Sequence, residues 1–113
     1  MRVSREFRFE AAHRLRDHGG GCEALHGHTW TLRVTVQAPV REDGLAFDFL
    51  LLEEEVRARV LARMDHSYLN DLLPSPSAEN VARWAWKALA HLPLAEIRVW
   101  ETPDSFVAYD GRE

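Results

Sequence analysis

The sequence predicts an α+β domain of order β-β-α-α-β-β (ββααββ), a four-stranded antiparallel sheet carrying two helices on one face. Three observations lead there. Apolar and polar residues alternate through most of the first 37 positions, two apolar stripes at helical spacing fill the middle, and two short alternating runs close the chain.

Between Val3 and Arg14, residues Val3, Phe7, Phe9, Ala11 and His13 hold odd positions while Ser4, Glu6, Arg8, Glu10 and Arg14 hold even ones. That is the pattern of a half-buried strand. A second run places His26, His28, Trp30, Leu32, Val34 and Val36 on one face, with Thr29, Thr31, Arg33, Thr35 and Gln37 on the other. Joined antiparallel through the loop from Leu15 to Leu25, the end of the first strand meets the start of the second. After a turn from Pro39 to Gly44, the residues Leu52, Val56, Val60 and Met64 form an i, i+4 stripe. Glu53 with Arg57, and Glu55 with Arg59, are spaced for ion pairs on the solvated side of that helix. The pattern stops near Asp65-His66. A loop containing Pro74 and Pro76 leads to Ser77, an N-cap residue type, and to a second helix with the stripe Val81, Trp84, Ala88 and Leu92. Trp84 and Trp86 are expected in core and interface, and His18 and His91 as solvated or capping residues. Ile97, Val99 and Glu101, then Phe106, Ala108 and Asp110, make the final runs around a Pro103-Asp104-Ser105 turn. Open edges on such a sheet predict a homo-oligomer.

Composition narrows the class. A chain of 113 residues predicts one domain over 1–113, large enough to bury roughly two-thirds of its unfolded surface. With 46% hydrophobic and 28% charged residues it reads as globular. A net charge of -4 argues against nucleic acid as a partner. The single cysteine cannot form an internal disulfide, the polar start MRVSREFRFE does not read as a signal peptide, and no apolar run reaches membrane-spanning length. A cytoplasmic location is expected, with no membrane partner.

Chemistry concentrates near the first hairpin. His13, His26 and His28 share parity at one end of the strand pair and converge on its apolar face. Three neutral imidazoles hold a zinc ion with a fourth position open, although the same set also suits iron, nickel or copper. Cys22 lies in the connecting loop beside them. Glu101 shares parity with Ile97 and Val99, so either its carboxylate turns to the core side and needs N-H donors there, or the alternation slips at the strand end. Asp65-His66 also has two readings: an imidazolium complementing a helix end, or a carboxylate-oriented imidazole for proton transfer beside a thiol.

Several segments, in order along the chain, carry a resemblance. Phe9-Glu10-Ala11-Ala12-His13-Arg14-Leu15, Cys22-x-x-x-His26-Gly27-His28, Asp65-His66-Ser67-Tyr68-Leu69-Asn70-Asp71, Pro76-Ser77-Ala78-Glu79-Asn80, and Glu101-Thr102 with Tyr109 are together similar to the 6-pyruvoyltetrahydropterin synthase family. The three residues between Cys22 and His26 resemble the bacterial branch that makes 6-carboxytetrahydropterin. The resemblance implies Zn2+ on His13, His26 and His28, Cys22 as the proton-abstracting base, Asp65 and His66 as a relay often completed across subunits, and Glu101 on the pterin ring. It implies a tunnelling fold, in which oligomerisation joins sheets into a barrel, commonly as a trimer or hexamer. The implied reaction turns 7,8-dihydroneopterin triphosphate into 6-carboxytetrahydropterin, acetaldehyde and triphosphate for 7-deazaguanine and queuosine synthesis, with zinc as a Lewis acid. Two departures stand out. Glu23 beside Cys22 resembles a folate-related branch releasing 6-hydroxymethyldihydropterin, and Pro103-Asp104-Ser105 is bulkier than the small residues usual after the glutamate. A pyruvoyl-forming enzyme, and a zinc- or pterin-binding module without catalysis, are the remaining alternatives.

Overall fold

The computed structural model describes residues 1–15 and 25–113, with His26 described by its backbone. Strands β1 (Arg2–His13) and β2 (His26–Gln37) come first, followed by helix α1 (Phe49–Val56). Helix α1 runs through a π-helical turn, Arg57–Leu61, into the short α2 (Ala62–Met64). Then come β3 (Ser67–Tyr68), a 3-10 turn at Leu69–Asp71, helix α3 (Ala78–Ala88), and strands β4 (Leu94–Thr102) and β5 (Ser105–Tyr109). No helix among the described residues is long and apolar enough to cross a membrane.

The sheet has five strands in the order β3-β1-β2-β4-β5, where the sequence predicts four. The extra strand pairs parallel to β1, matching Ala11 with Ser67 and Ala12 with Tyr68, while the other pairings are antiparallel. Two residues are too few to show a period, so this strand leaves no trace in the alternation of apolar residues. Its backbone is set by His66, the one described non-glycine residue with positive φ, at 58°, whose N–H donates to the Glu10 carbonyl. Histidine is among the residues that tolerate this left-handed region best.

The predicted parity of the first hairpin holds among its described side chains. Phe7, Phe9 and Ala11 of β1 and Trp30, Leu32, Val34 and Val36 of β2 are buried with Ile97 and Val99 of β4. Glu6, Arg8 and Glu10 face the opposite side, where Arg33 pairs with Glu6 at 2.6 Å and Thr29 donates to Glu10 at 2.8 Å. In β5, whose register with β4 shifts between Trp100 and Thr102, Val107 and Tyr109 pack on the core while Phe106 is exposed.

The first helix explains its own irregularity. Residues four apart drift roughly 40° per step on a 3.6-residue helix, so a strict i, i+4 stripe from Leu52 to Met64 would rotate by roughly 120° out of the core. Yet Leu52, Val56, Val60 and Met64 are all at 0% exposure. The π-helical turn, in which the Ala62 N–H reaches back to the Arg57 carbonyl, takes up the drift with one extra residue per turn. Asp48 caps the helix start through the Leu50 N–H at 2.9 Å. Both expected ion pairs form, Arg57 with Glu53 at 2.9 Å and Arg59 with Glu55 at 2.7 Å. His91, expected to be solvated or capping, is exposed, and at 3.1 Å from Glu55 it also ties the end of the α3 segment to α1.

Ser77 caps α3 as predicted, accepting from the Asn80 N–H at 3.2 Å. The buried stripe, however, is Val81, Ala82, Ala85 and Leu89, with Trp84, Ala88 and Leu92 half-buried at its border. Small alanines let the helix approach the core closely, and the broad indoles flank the contact. Trp86 packs edge-on against Tyr109 at 5.5 Å and covers Gly111, whose φ is +89°. A Cβ there would meet the Trp86 ring at 2.5 Å.

Replacing Gly111 with alanine is therefore expected to cost about 1–3 kcal/mol through the displaced indole and the left-handed backbone, measured as a lower urea midpoint. Arg57 beside Glu53, and Arg59 with His91 beside Glu55, hold both carboxyls below the usual carboxylate range. A carboxyl depressed by folding contributes stability above its unfolded value, about 4.3 for Glu, and loses it as pH falls through the folded value. Glu55→Gln should thus lower the urea midpoint slightly at neutral pH, as exposed pairs do, and leave it unchanged once the pH has fallen below the folded-state value.

Candidate functional site

The last residue of β1 defines the site. His13 lies on the core face at 0% exposure, and its Nδ1 is 2.8 Å from the Pro76 carbonyl. A carbonyl only accepts, so Nδ1 carries a hydrogen, which leaves Nε2 as the ring nitrogen available to a metal. His28, whose strand partner is Ala11, comes alongside with ring centroids 5.2 Å apart and nearly perpendicular planes. Trp30 floors both rings, at 5.0 Å from His13 and 5.8 Å from His28, and its indole N–H donates to the Ala11 carbonyl at 3.3 Å. His26 stands directly across the ladder from His13.

Glu101 completes the cluster from β4. The alternation of β4 holds through this residue, and its carboxylate turns to the histidines as one of the two sequence readings expects. Oε1 is 2.8 Å from His13 Nε2 and 3.8 Å from His28 Nε2, and one ligand atom from each of the three residues lies within 4.8 Å of the others. A tetrahedral zinc ion with bonds of about 2.0–2.2 Å separates its ligands by roughly 3.3–3.6 Å, a spacing the two measured distances bracket. Two imidazole nitrogens and a carboxylate oxygen are also the donor types zinc accepts. A lone pair facing a carboxylate at 2.8 Å requires a cation, proton or metal, between them. The residues therefore fit a divalent metal.

Asp65 and His66 lie elsewhere, along the outer edge of β1. Asp65 Oδ1 accepts the Glu10 N–H at 2.9 Å, and its other oxygen is 3.6 Å from His66 Nε2, beyond hydrogen-bond range. The His66 side chain is 80% exposed and borders a depression shared with Glu10, Gly27, His28 and Thr29. Asn70 continues the seam, its side chain accepting the Arg14 N–H at 2.8 Å and donating to the Arg14 carbonyl at 2.9 Å. The segment 65–70 thus fastens the strand end that carries His13. Cys22, Glu23 and His18 lie outside the described residues.

On the other side of His28, a depression of about 640 Å³ is lined by Arg8, Thr31, Trp100, Glu101, Thr102 and Pro103, among others. Pro103 at its border is one of the bulky turn residues noted in the sequence. Three contributors escape a search for chemistry-bearing residues: the Pro76 carbonyl, Trp30 as floor, and Asn70 as clamp. Asn70 and Pro76 had a visible sign, their places in the Asp65 to Asp71 and Pro76 to Asn80 motifs.

Comparison with known proteins gives one answer about ancestry. A family model described as 6-pyruvoyl tetrahydropterin synthase matches residues 2–112. A Haemophilus influenzae protein named 6-carboxy-5,6,7,8-tetrahydropterin synthase is 33% identical over 138 residues, covering 96% of this chain and 98% of that one. A Pyrococcus furiosus protein named dihydroneopterin monophosphate aldolase is 35% identical over 98 residues, covering 82% of each. Among solved structures, 6-pyruvoyl tetrahydropterin synthase of Caenorhabditis elegans superposes with a TM-score of 0.90 at 25% identity, covering 98% of this chain and 95% of that chain.

The Asp65 contact separates two roles of that residue. Asp65→Asn keeps an oxygen for the Glu10 N–H and should leave the urea midpoint nearly unchanged, whereas Asp65→Ala removes the bond and should cost about 1 kcal/mol.

Proposed function

This chain belongs to the 6-pyruvoyl tetrahydropterin synthase family, and from that premise we propose that it is a zinc-dependent lyase. It converts 7,8-dihydroneopterin triphosphate to 6-carboxy-5,6,7,8-tetrahydropterin, acetaldehyde and triphosphate, a step toward 7-deazaguanines and queuosine. The observation that carries the reading is the convergence of His13 and His28, with His13 held as a ligand-ready tautomer by Pro76, in a chain 33% identical to a protein named for this synthase.

In this reading His13, His26 and His28 hold the ion. Zinc, when bound, supplies Lewis-acid polarisation of the substrate's side-chain oxygens and so acidifies an adjacent C–H. Cys22, as thiolate close to that positive charge, takes the proton. His66, next to Asp65 in the chain, returns it; the 80% exposure of His66 leaves its ring accessible to a neighbouring subunit's site, which supports a relay assembled between chains. Glu101, half-exposed at the border of the Trp100 depression, accepts from the N–H groups of the pterin edge.

Assembly belongs to the same reading. The domain spans 1–113, and copies join sheets into a barrel as a trimer or hexamer. Support comes from the two sheet borders: β5 is an edge strand, and β3 covers β1 only at Ala11 and Ala12. The cytoplasm is the proposed location.

A second reading has specific support. Glu23 adjoins Cys22, and the Pyrococcus furiosus relative is named as an aldolase acting on dihydroneopterin monophosphate. Under that reading Glu23 is the base and 6-hydroxymethyldihydropterin the product.

Product analysis decides between them. Zinc-loaded protein should release acetaldehyde from dihydroneopterin triphosphate, chelation should abolish turnover, and zinc should restore it. Cys22→Ala should reduce kcat at least about a hundredfold, in the range of lost acid-base catalysis, with Glu23→Gln largely active. No acetaldehyde, or the reverse order of the two variants, would sink the carboxy assignment.

A further inference from the structure

Glu101 is asked to do two things at once. Substrate anchoring places its carboxylate on the N–H edge of a heteroaromatic ring, yet the structure places Oε1 2.8 Å from Nε2 of a fully buried histidine. Resting on the zinc reading above, we propose that Glu101 is an exchangeable metal ligand. Without substrate it shares the ion with His13 and His28; when a ring edge with adjacent N–H donors binds, the carboxylate turns onto it and leaves a metal position free.

Three features carry this. First, His13 Nδ1 is committed to the Pro76 carbonyl, which leaves Nε2 for a metal, and Glu101 Oε1 lies 2.8 Å from that nitrogen and 3.8 Å from His28 Nε2. Second, Glu101 has somewhere to go: it follows Trp100, where the register of β4 against β5 shifts, and borders the depression lined by Thr31, Trp100 and Thr102. Its side chain retains 29% exposure, unlike the buried His13. Third, the two duties exclude each other. Turning the carboxylate onto two parallel N–H donors in the neighbouring depression carries Oε1 away from the histidines, where a metal bond would need it to stay. Ring binding and metal ligation by Glu101 are thus coupled with negative sign, and the coupling is reciprocal. The metal stays closed until a substrate with the right edge arrives, and opens at the position its side-chain oxygens then fill.

The test uses zinc competition against a chromophoric chelator, on the full chain, with unsubstituted pterin as probe, because it has the N–H edge and no side-chain oxygens. In wild-type protein, saturating pterin should weaken zinc binding several-fold. Glu101→Gln should weaken zinc binding at least about tenfold without pterin, and pterin should then have no further effect. Zinc affinity unchanged in Glu101→Gln, or unchanged by bound pterin in the wild type, overturns the exchange while leaving the zinc reading intact. Zinc binding that survives unaltered in His13→Ala overturns both. The wild-type pterin measurement stands even if the glutamine variant does not fold.

Discussion

The unbroken ladder between β1 and β2 governs the rest of the molecule. Every residue from Arg2 to His13 has a partner, ending with Ala11 opposite His28 and His13 opposite His26. Because side chains alternate with a period of two, a slip of one residue would send Phe7, Phe9, Trp30 and Leu32 to the polar face and carry the histidines with them. Core and site are consequently one commitment: the register that buries the aromatic residues also brings His13 and His28 side by side. The other parts of the fold hold this ladder in place. Helices α1 and α3 cover its apolar face, β4 extends it and delivers Glu101, and the 65–70 segment fastens its outer end.

That segment shows how a motif can be structural and chemical at the same residues. Asp65 and His66 bond to the backbone of β1 at Glu10, and Asn70 to that of Arg14 just beyond it, so together they fasten the strand end. The His66 ring is turned outward by the left-handed backbone that the turn demands. A residue selected for the turn is thereby presented to whatever approaches the edge of β1.

Much of this was legible in the sequence because it depends on short-range periodicity. The alternation of β1 and β2, the inward parity of Glu101, the Ser77 cap and the Glu-to-Arg pairs at four-residue spacing each follow from local geometry. What was not legible depends on contact between distant segments. β3 is two residues defined by its partner, not by a pattern. The phase of α3 differs from the one its indoles suggest, because close packing favours Ala82 and Ala85 at the contact. The spacing of Leu52, Val56, Val60 and Met64 did contain the π-helical turn, since a regular α-helix cannot keep residues four apart aligned for that long. At the site the histidine parity was readable, but the orienting partner of His13 was not, being a carbonyl 63 positions away.

The identity of that partner bears on how the site withstands mutation. Where a carboxylate side chain orients a metal-binding imidazole, one codon change deletes the acceptor. Here the acceptor is the main-chain oxygen of Pro76, which every amino acid at that position would still supply. Point mutation can reach the ring's orientation only by moving the backbone, and Pro74 and Pro76 restrict the backbone of that loop. Heritable variation can accordingly explore the residues that meet the substrate while the tautomer of His13 is passed on unaltered.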